Sequence, residues 1–185
     1  LHSFPTRRSS DLHVLGLDID DSKIQMLAKS ATYIRHIPSE KLKAANDTKR
    51  FDYTSDFSRS AECDALIICV PTPLDHHREP DMSYIVNTAE ALAPYVRKEQ
   101  LFSLESTTYP GTTDEVLCPI LEKKTGLKAG KDFFVAFSPE REDPNNKDFS
   151  TSTIPKVVGG INEESLKVAD ALYGTVICKT VPVSS

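Results

Sequence analysis

Residues 66–73 read Leu66-Ile67-Ile68-Cys69-Val70-Pro71-Thr72-Pro73, an apolar run that opens directly into a polar, proline-rich loop. The same pattern occurs twice more, where residues 101–104 run into Glu105-Ser106-Thr107-Thr108-Tyr109-Pro110-Gly111 and residues 133–137 run into Ser138-Pro139-Glu140-Arg141-Glu142-Asp143-Pro144. Short, continuous apolar runs are typical of strands buried in a parallel sheet. Because ligands bind beyond the carboxyl ends of such strands, the three loops predict one shared crevice.

Helical patterns separate these strands along the chain. Residues 83–92 and 162–173 place apolar side chains at helical spacing. Residues 112–121 do the same, although Pro119 should kink or break that helix. Strands that alternate with helices indicate βαβ units, so we expect an α/β fold, a Rossmann-like doubly wound parallel sheet.

The amino-terminal region predicts one further strand, preceded by a segment that does not fit the fold. Residues 13–18 form an apolar run that ends in Asp18, the position at which a dinucleotide-binding fold carries the acid for the adenosine ribose hydroxyls. The Gly-x-Gly-x-x-Gly turn of such folds does not occur in this sequence. Residues 1–12 resemble the translated reading frame of a sequencing adapter. We therefore expect a non-native segment over 1–12 and, over 13–185, an incomplete domain without its first strand and glycine-rich loop, which leaves the neighbouring strands as edges.

Composition excludes several classes of function. The chain is 39% hydrophobic and 26% charged with a net charge of −5, which is typical of a soluble globular domain and argues against a nucleic-acid partner. No apolar run approaches the roughly 18 residues that span a bilayer, so no membrane partner is expected. The four cysteines lack metal-ligand spacing, so we expect no metal site and reduced thiols in a cytoplasmic protein. Cys69 and Cys178 lie in apolar stretches and are expected to be buried.

Four motifs occur in order along the chain: Val70-Pro71-Thr72-Pro73-Leu74, Pro80-Asp81-Met82-Ser83, residues 104–113 and residues 137–144. Together they resemble the N-terminal NAD-binding domain of the UDP-glucose/GDP-mannose dehydrogenase family. The Pro-Glu-Arg form of the last motif, with residues 154–160, resembles the UDP-N-acetyl-hexosamine 6-dehydrogenase branch. Enzymes of this family oxidise the hydroxymethyl group of a nucleotide sugar to a carboxylate with two NAD⁺ per turnover. The resemblance therefore implies NAD as cofactor, a UDP-sugar as substrate, and a homo-oligomeric parent enzyme of polysaccharide precursor synthesis.

The resemblance also implies a role for each matching residue. The expected cofactor-binding residues are Asp18 at the adenosine ribose, Lys23 nearby, and Thr72, Ser106 and Thr107 at the strand ends. The expected catalytic residues are Thr107 and Glu140, of which Glu140 would help to deprotonate or position water. The expected substrate-binding residues are Glu140, Arg141 and Glu142.

Other interpretations stay open. The chain could belong to another NAD-dependent β-dehydrogenase with the same strand order, or be a non-catalytic nucleotide-binding remnant. Asp18 could simply end a strand, Thr72 could stiffen a turn, and residues 140–142 could be a solvated charge run. The catalytic cysteine of the family belongs to a later glycine-rich loop, and none of the four cysteines stands in that motif. We therefore expect the 185-residue chain to be inactive by itself.

Overall fold

The computed structural model describes residues 12–34, 37–74, 76, 78, 80–139 and 154–184. These residues form two compact units, residues 12–59 and residues 60–184. The segment 1–11 and the candidate residues Glu140, Arg141 and Glu142 lie outside the described residues.

The smaller unit contains two strands and two helices. Its elements are β1 (Val14–Leu17), α1 (Asp21–Ala28), α2 (Ser39–Asp47) and β2 (Phe51–Thr54). β1 pairs in parallel with β2, and Val14 stands opposite Phe51. The Asp20 side chain accepts a hydrogen bond from the Ser22 backbone amide and so caps α1. The strand predicted from residues 13–18 is confirmed, and it ends directly before Asp18.

The larger unit contains a five-stranded sheet and three helices. Its elements are β3 (Ala65–Ile68), α3 (Ser83–Leu92), β4 (Leu101–Leu104), α4 (Cys118–Thr125), β5 (Phe134–Phe137), β6 (Lys156–Gly160), α5 (Glu163–Tyr173) and β7 (Thr180–Ser184). The strand order is β3-β4-β5-β6-β7. A π-helical turn over Thr113–Leu117 precedes α4, and Pro119 lies in the first turn of α4. The predicted break at Pro119 is therefore a change from π to α geometry.

Three parallel strands form one side of this sheet. β3 pairs with β4 and β4 with β5, and Ile68, Leu104 and Phe137 lie level with one another at the strand ends. The core is closely packed: Phe102 is 1% exposed, and its ring meets that of Phe133 edge to face at 5.7 Å. The α/β class is confirmed, and so is the expectation that three polar loops begin at one edge of a sheet.

One strand direction differs from the sequence prediction. β6 runs antiparallel to β5, with Gly159 opposite Phe137, and β7 runs parallel to β6. A parallel return would need a long crossover, usually a helix, whereas an antiparallel one does not. Residues 138–155 carry no helical pattern. Because β6 is reversed, its first residue, Lys156, lies beyond the carboxyl end of β5.

The sheets have open edges within the described residues. β1 has one strand partner, β2, and β3 has one strand partner, β4. No helix among the described residues is long and apolar enough to cross a membrane.

The expectation that Cys69 and Cys178 are buried is wrong. Both are exposed, whereas Cys118 is buried in α4. The apolar runs in the sequence extend past the paired strands, since β3 ends at Ile68 and β7 begins only at Thr180. Burial raises the pKa of the Cys118 thiol to about 12, so this thiol stays protonated at neutral pH.

Candidate functional site

A pocket opens where β3 and β4 end. It has a volume of about 310 Å³ and is lined by Cys69, Val70, Pro71, Thr72, Glu105, Ser106 and Thr107. The Glu105 backbone amide donates a hydrogen bond to the Ile68 carbonyl at 2.9 Å, which continues the strand pairing into the loop. The pocket thus lies at the carboxyl ends of parallel strands, where ligands bind in folds of this type.

Ser106 joins the two loops that line the pocket. Its side chain is buried, and its Oγ accepts a hydrogen bond from the Val70 backbone amide at 2.9 Å. The same hydroxyl donates to the Ile68 carbonyl at 3.5 Å. Ser106 therefore fixes the loops, and its predicted direct contact with a cofactor stays a prediction.

Thr72 and Thr107 differ from Ser106 in having unused hydroxyls. Thr72 is half-buried and Thr107 is exposed, and neither hydroxyl bonds to another residue that the structure describes. The neighbouring Thr108 hydroxyl is instead 2.6 Å from that of Thr112. Among the hydroxyls of the residues that line this pocket, those of Thr72 and Thr107 therefore keep their donors for a ligand, whereas that of Ser106 donates to Ile68.

Glu105 is a pocket residue that sequence reasoning missed. Its side chain is only 10% exposed. Its Oε2 lies 3.2 Å from Lys156 Nζ, and its Oε1 accepts a hydrogen bond from the Tyr173 hydroxyl at 2.5 Å. A charged residue directly after a mostly apolar strand was the available signal. Its partners were not recognisable, because Lys156 and Tyr173 are distant in sequence.

Asp18 and Lys23 lie in the smaller unit, at the end of β1 and in α1. Asp18 Oδ1 accepts a hydrogen bond from the Asp20 backbone amide at 2.9 Å, and Oδ2 lies 2.8 Å from Lys23 Nζ. The hydrogen bond to Asp18 raises the pKa of Lys23, so Lys23 keeps its charge. The two predicted residues are therefore brought together, and Lys23 orients the Asp18 carboxylate.

The chemistry of these groups fits a dinucleotide. A carboxylate oxygen has two acceptor positions, so Asp18 keeps acceptor capacity for a ribose diol besides its two protein bonds. Thr72 and Thr107 offer hydroxyls that can donate or accept. Among the described residues, no cluster of three or more His, Cys, Asp or Glu could hold a metal ion.

Parallel strands with hydroxyl-bearing loops at their carboxyl ends are typical of the dinucleotide-binding domains of dehydrogenases, and so is an acid directly after a strand, as Asp18 follows β1. The sequence itself defines the family. Residues 6–177 match the UDP-glucose/GDP-mannose dehydrogenase family, NAD binding domain, and the chain belongs to that family. The predicted family and its cofactor, NAD, are thereby confirmed.

Known relatives extend well beyond this chain. Protein CapL of Staphylococcus aureus is 37% identical over 172 residues, which are 93% of this chain and 40% of the relative. A UDP-N-acetyl-D-glucosamine 6-dehydrogenase of Pseudomonas aeruginosa is 34% identical over 164 residues, 89% of this chain and 38% of the relative. The chain thus spans about two fifths of the length of these relatives.

Solved structures agree with this assignment. The NDP-N-acetyl-D-galactosaminuronic acid dehydrogenase of Methanosarcina mazei Go1 superposes with a TM-score of 0.86 at 32% identity, over 95% of this chain and 40% of that one. The UDP-D-ManNAc dehydrogenase of Pyrococcus horikoshii gives a TM-score of 0.88 at 28% identity, over 96% of this chain and 42% of that one.

Proposed function

We propose that this chain is the NAD-binding portion of a nucleotide-sugar 6-dehydrogenase. Its substrate is a UDP-N-acetylhexosamine, either UDP-N-acetylglucosamine or UDP-N-acetylmannosamine. The enzyme oxidises the hydroxymethyl group of this sugar to a carboxylate for polysaccharide precursor synthesis. The names of similar proteins support this substrate class, since they include a UDP-N-acetyl-D-glucosamine 6-dehydrogenase and a UDP-N-acetyl-D-mannosamine dehydrogenase. The observation that carries the proposal is the pocket at the level ends of β3 and β4, with the Thr72 and Thr107 hydroxyls at its rim.

Asp18 provides selectivity for the cofactor in this proposal. Its carboxylate accepts hydrogen bonds from the adenosine ribose hydroxyls, and the bond from Lys23 keeps it oriented. A 2′-phosphate on that ribose would bring negative charge against the carboxylate. NAD⁺ should therefore bind more tightly than NADP⁺.

The strand-end loops position the reacting half of the cofactor. Bound NAD⁺ supplies the hydride acceptor for the alcohol carbon. Thr72 and Thr107 orient it from loops that Ser106 ties together, so that the reactants are held in near-attack geometry. Glu140 helps to deprotonate or position water, and Arg141 and Glu142 bind the sugar nucleotide. A cytoplasmic location and a homo-oligomeric parent protein stay predictions.

Calorimetric titration of the chain with NAD⁺ and NADP⁺ tests the cofactor role. Wild type should bind NAD⁺ in preference to NADP⁺. Asp18→Asn should weaken NAD⁺ binding about tenfold, because hydrogen bonds to a charged acceptor contribute more than those to a neutral one. Asp21→Asn is the matched control, since it removes the same charge from an exposed position three residues away. Equal losses in both variants, or no NAD⁺ binding by wild type, would contradict the proposal.

We also propose that the 185-residue chain binds NAD⁺ without turnover. The thioester-forming cysteine of the family has no counterpart among the four cysteines, and the buried Cys118 thiol is held protonated. Incubation with NAD⁺ and either UDP-N-acetylhexosamine should give no absorbance at 340 nm from NADH. Steady NADH production would contradict this part of the proposal.

A further inference from the structure

A buried charge network borders the strand-end pocket. Lys156, at the start of β6, is 7% exposed in its side chain and lies 3.2 Å from Glu105 Oε2. The ammonium group also lies 5.3 Å from the centre of the Tyr173 ring. Tyr173, at the end of α5, donates to the other carboxylate oxygen of Glu105. Glu105 is thus the member of this network that lines the pocket.

The hydrogen positions in this network follow from the donors present. The Tyr173 hydroxyl has one proton, and a carboxylate can only accept, so that proton lies toward Glu105. Ser103 Oγ, 2.7 Å from the Tyr173 oxygen, must then donate to it. Burial and the neighbouring Glu105 raise the pKa of Tyr173, so the phenol remains a donor. Both oxygens of Glu105 are therefore held in place.

The reversed direction of β6 brings these charges together. Glu105 follows β4, whose last residue lies level with the end of β5. Lys156 lies three residues before Gly159, the partner of Phe137 at that same level. In an antiparallel pair those three residues extend past the end of β5. Lys156 consequently reaches the edge of the sheet at which the pocket opens.

We propose that the Lys156 ammonium group offsets the effect of the Glu105 carboxylate on the relative affinity of this pocket for oxidised and reduced NAD. The proposal rests on the function proposed above, that NAD binds at these strand ends. It makes Glu105 and Lys156 residues that tune cofactor preference through charge. Tyr173 and Ser103 are positioning residues for the carboxylate.

The physical basis is the charge difference between the two cofactor forms. The nicotinamide ring is positive in NAD⁺ and neutral in NADH. A carboxylate compensated by an ammonium group 3.2 Å away produces a weak net field in the pocket. Removing the lysine leaves an unbalanced negative charge that favours NAD⁺, and removing the glutamate charge leaves an unbalanced positive charge that favours NADH. Partial burial strengthens both effects because it reduces solvent screening.

Binding of NAD⁺ and NADH to wild type and three variants tests this inference. The measured quantity is the ratio of the two dissociation constants, obtained by calorimetry for NAD⁺ and by nicotinamide fluorescence for NADH. Lys156→Met should shift the ratio about fivefold toward NAD⁺, and Glu105→Gln should shift it by a similar factor toward NADH. The double variant, which contains neither charge, should return the ratio close to that of wild type.

The controls separate charge from structure. Lys179→Met removes the same charge from an exposed position beside β7 and should leave the ratio unchanged. A purely structural role would weaken the binding of both cofactor forms equally. Since an unpaired buried charge is destabilising, folding of each variant is checked by circular dichroism. If Lys156→Met does not fold, the ratio measured for Glu105→Gln tests the inference, because this variant keeps the side-chain shape and an acceptor for Tyr173.

The outcomes distinguish this inference from the proposed function. Opposite shifts in the two single variants support it. Unchanged ratios in variants that still bind NAD⁺ overturn it and leave the NAD-binding proposal standing. Failure of wild type to bind either cofactor form overturns both.

Discussion

The two units of this chain differ sharply in how they hold their candidate residues. In the described part of residues 60–184 each of the helices α3, α4 and α5 buries side chains, and Leu104, Val135 and Val158 are fully buried. In the described part of residues 12–59, Leu42 is the one buried hydrophobic residue, and α1 buries none. Val14 and Ile19 are exposed there. A two-stranded sheet with so little burial is marginally stable by itself.

The site residues follow the same division. Asp18 is oriented by Lys23, five residues away, within one loop and the following helix turn. Glu105 is oriented by Tyr173, 68 residues away, across a folded core. The acid of the smaller unit therefore depends on local hydrogen bonds, whereas the pocket of the larger unit depends on tertiary packing.

Truncating one apolar side chain in each unit should give the largest difference in the free energy of unfolding. Phe102→Ala should lower the free energy of unfolding of the larger unit by about 4 kcal/mol, because it leaves a cavity against Phe133. Leu15→Ala, at a half-buried position of β1, should lower that of the smaller unit by about 1 kcal/mol. Urea denaturation followed by circular dichroism measures both values. Equal losses would show that the smaller unit packs as tightly as the larger one.

Two adjacent glycines of β6 offer an intermediate effect. A Cβ at Gly160 would lie 2.3 Å from the Leu166 backbone nitrogen, so Gly160→Ala must move α5 away from the sheet. It should lower the free energy of unfolding by about 2 kcal/mol. At Gly159 the nearest atom to such a Cβ is 3.6 Å away, on a Val183 side chain. Gly159→Ala is therefore the control in the same urea titration, and a similar loss there would contradict the close approach of α5.

The aspartates that precede α1 and α3 should give small and similar effects on stability. Hydrogen bonds from Ser22 lower the pKa of Asp20 before α1, and hydrogen bonds from Ser83 lower that of Asp81 before α3. A lowered folded-state pKa adds stability that is complete above the ordinary Asp value of 3.8 and is lost as the pH falls below it. Between pH 5 and pH 3 the Tm of wild type should fall further than the Tm of Asp20→Asn or of Asp81→Asn. Parallel pH profiles for all three proteins would show that these hydrogen bonds contribute nothing to stability.

Whether a feature could be predicted from the sequence also depends on whether it rests on local or on distant contacts. The strands ending near Asp18, Ile68, Leu104 and Phe137 could be predicted, because a short apolar run followed by a polar loop is a local signal. The capping of α1 and the pairing of Asp18 with Lys23 are also local. These features include the positions that the family resemblance assigns to NAD.

The features that could not be predicted depend on distant partners. The reversal of β6 depends on how the chain returns after β5, and strand direction leaves no mark in an uncharged run such as residues 157–160. The importance of Glu105 follows from that reversal, since it is what brings Lys156 to the pocket. The burial of Cys69 was predicted wrongly because an apolar sequence continues past the last paired residue of β3.

Amide hydrogen exchange with and without NAD⁺, followed by mass spectrometry, tests the central claim most directly. Protection should increase on NAD⁺ addition in both units: in residues 18–23 of the smaller unit, and in the strand-end loops 69–72 and 105–108 of the larger one. Asp18→Asn should reduce the protection of both, because it weakens cofactor binding as a whole. Protection confined to other parts of the chain, or none at saturating NAD⁺, would contradict the assignment of these residues to the cofactor.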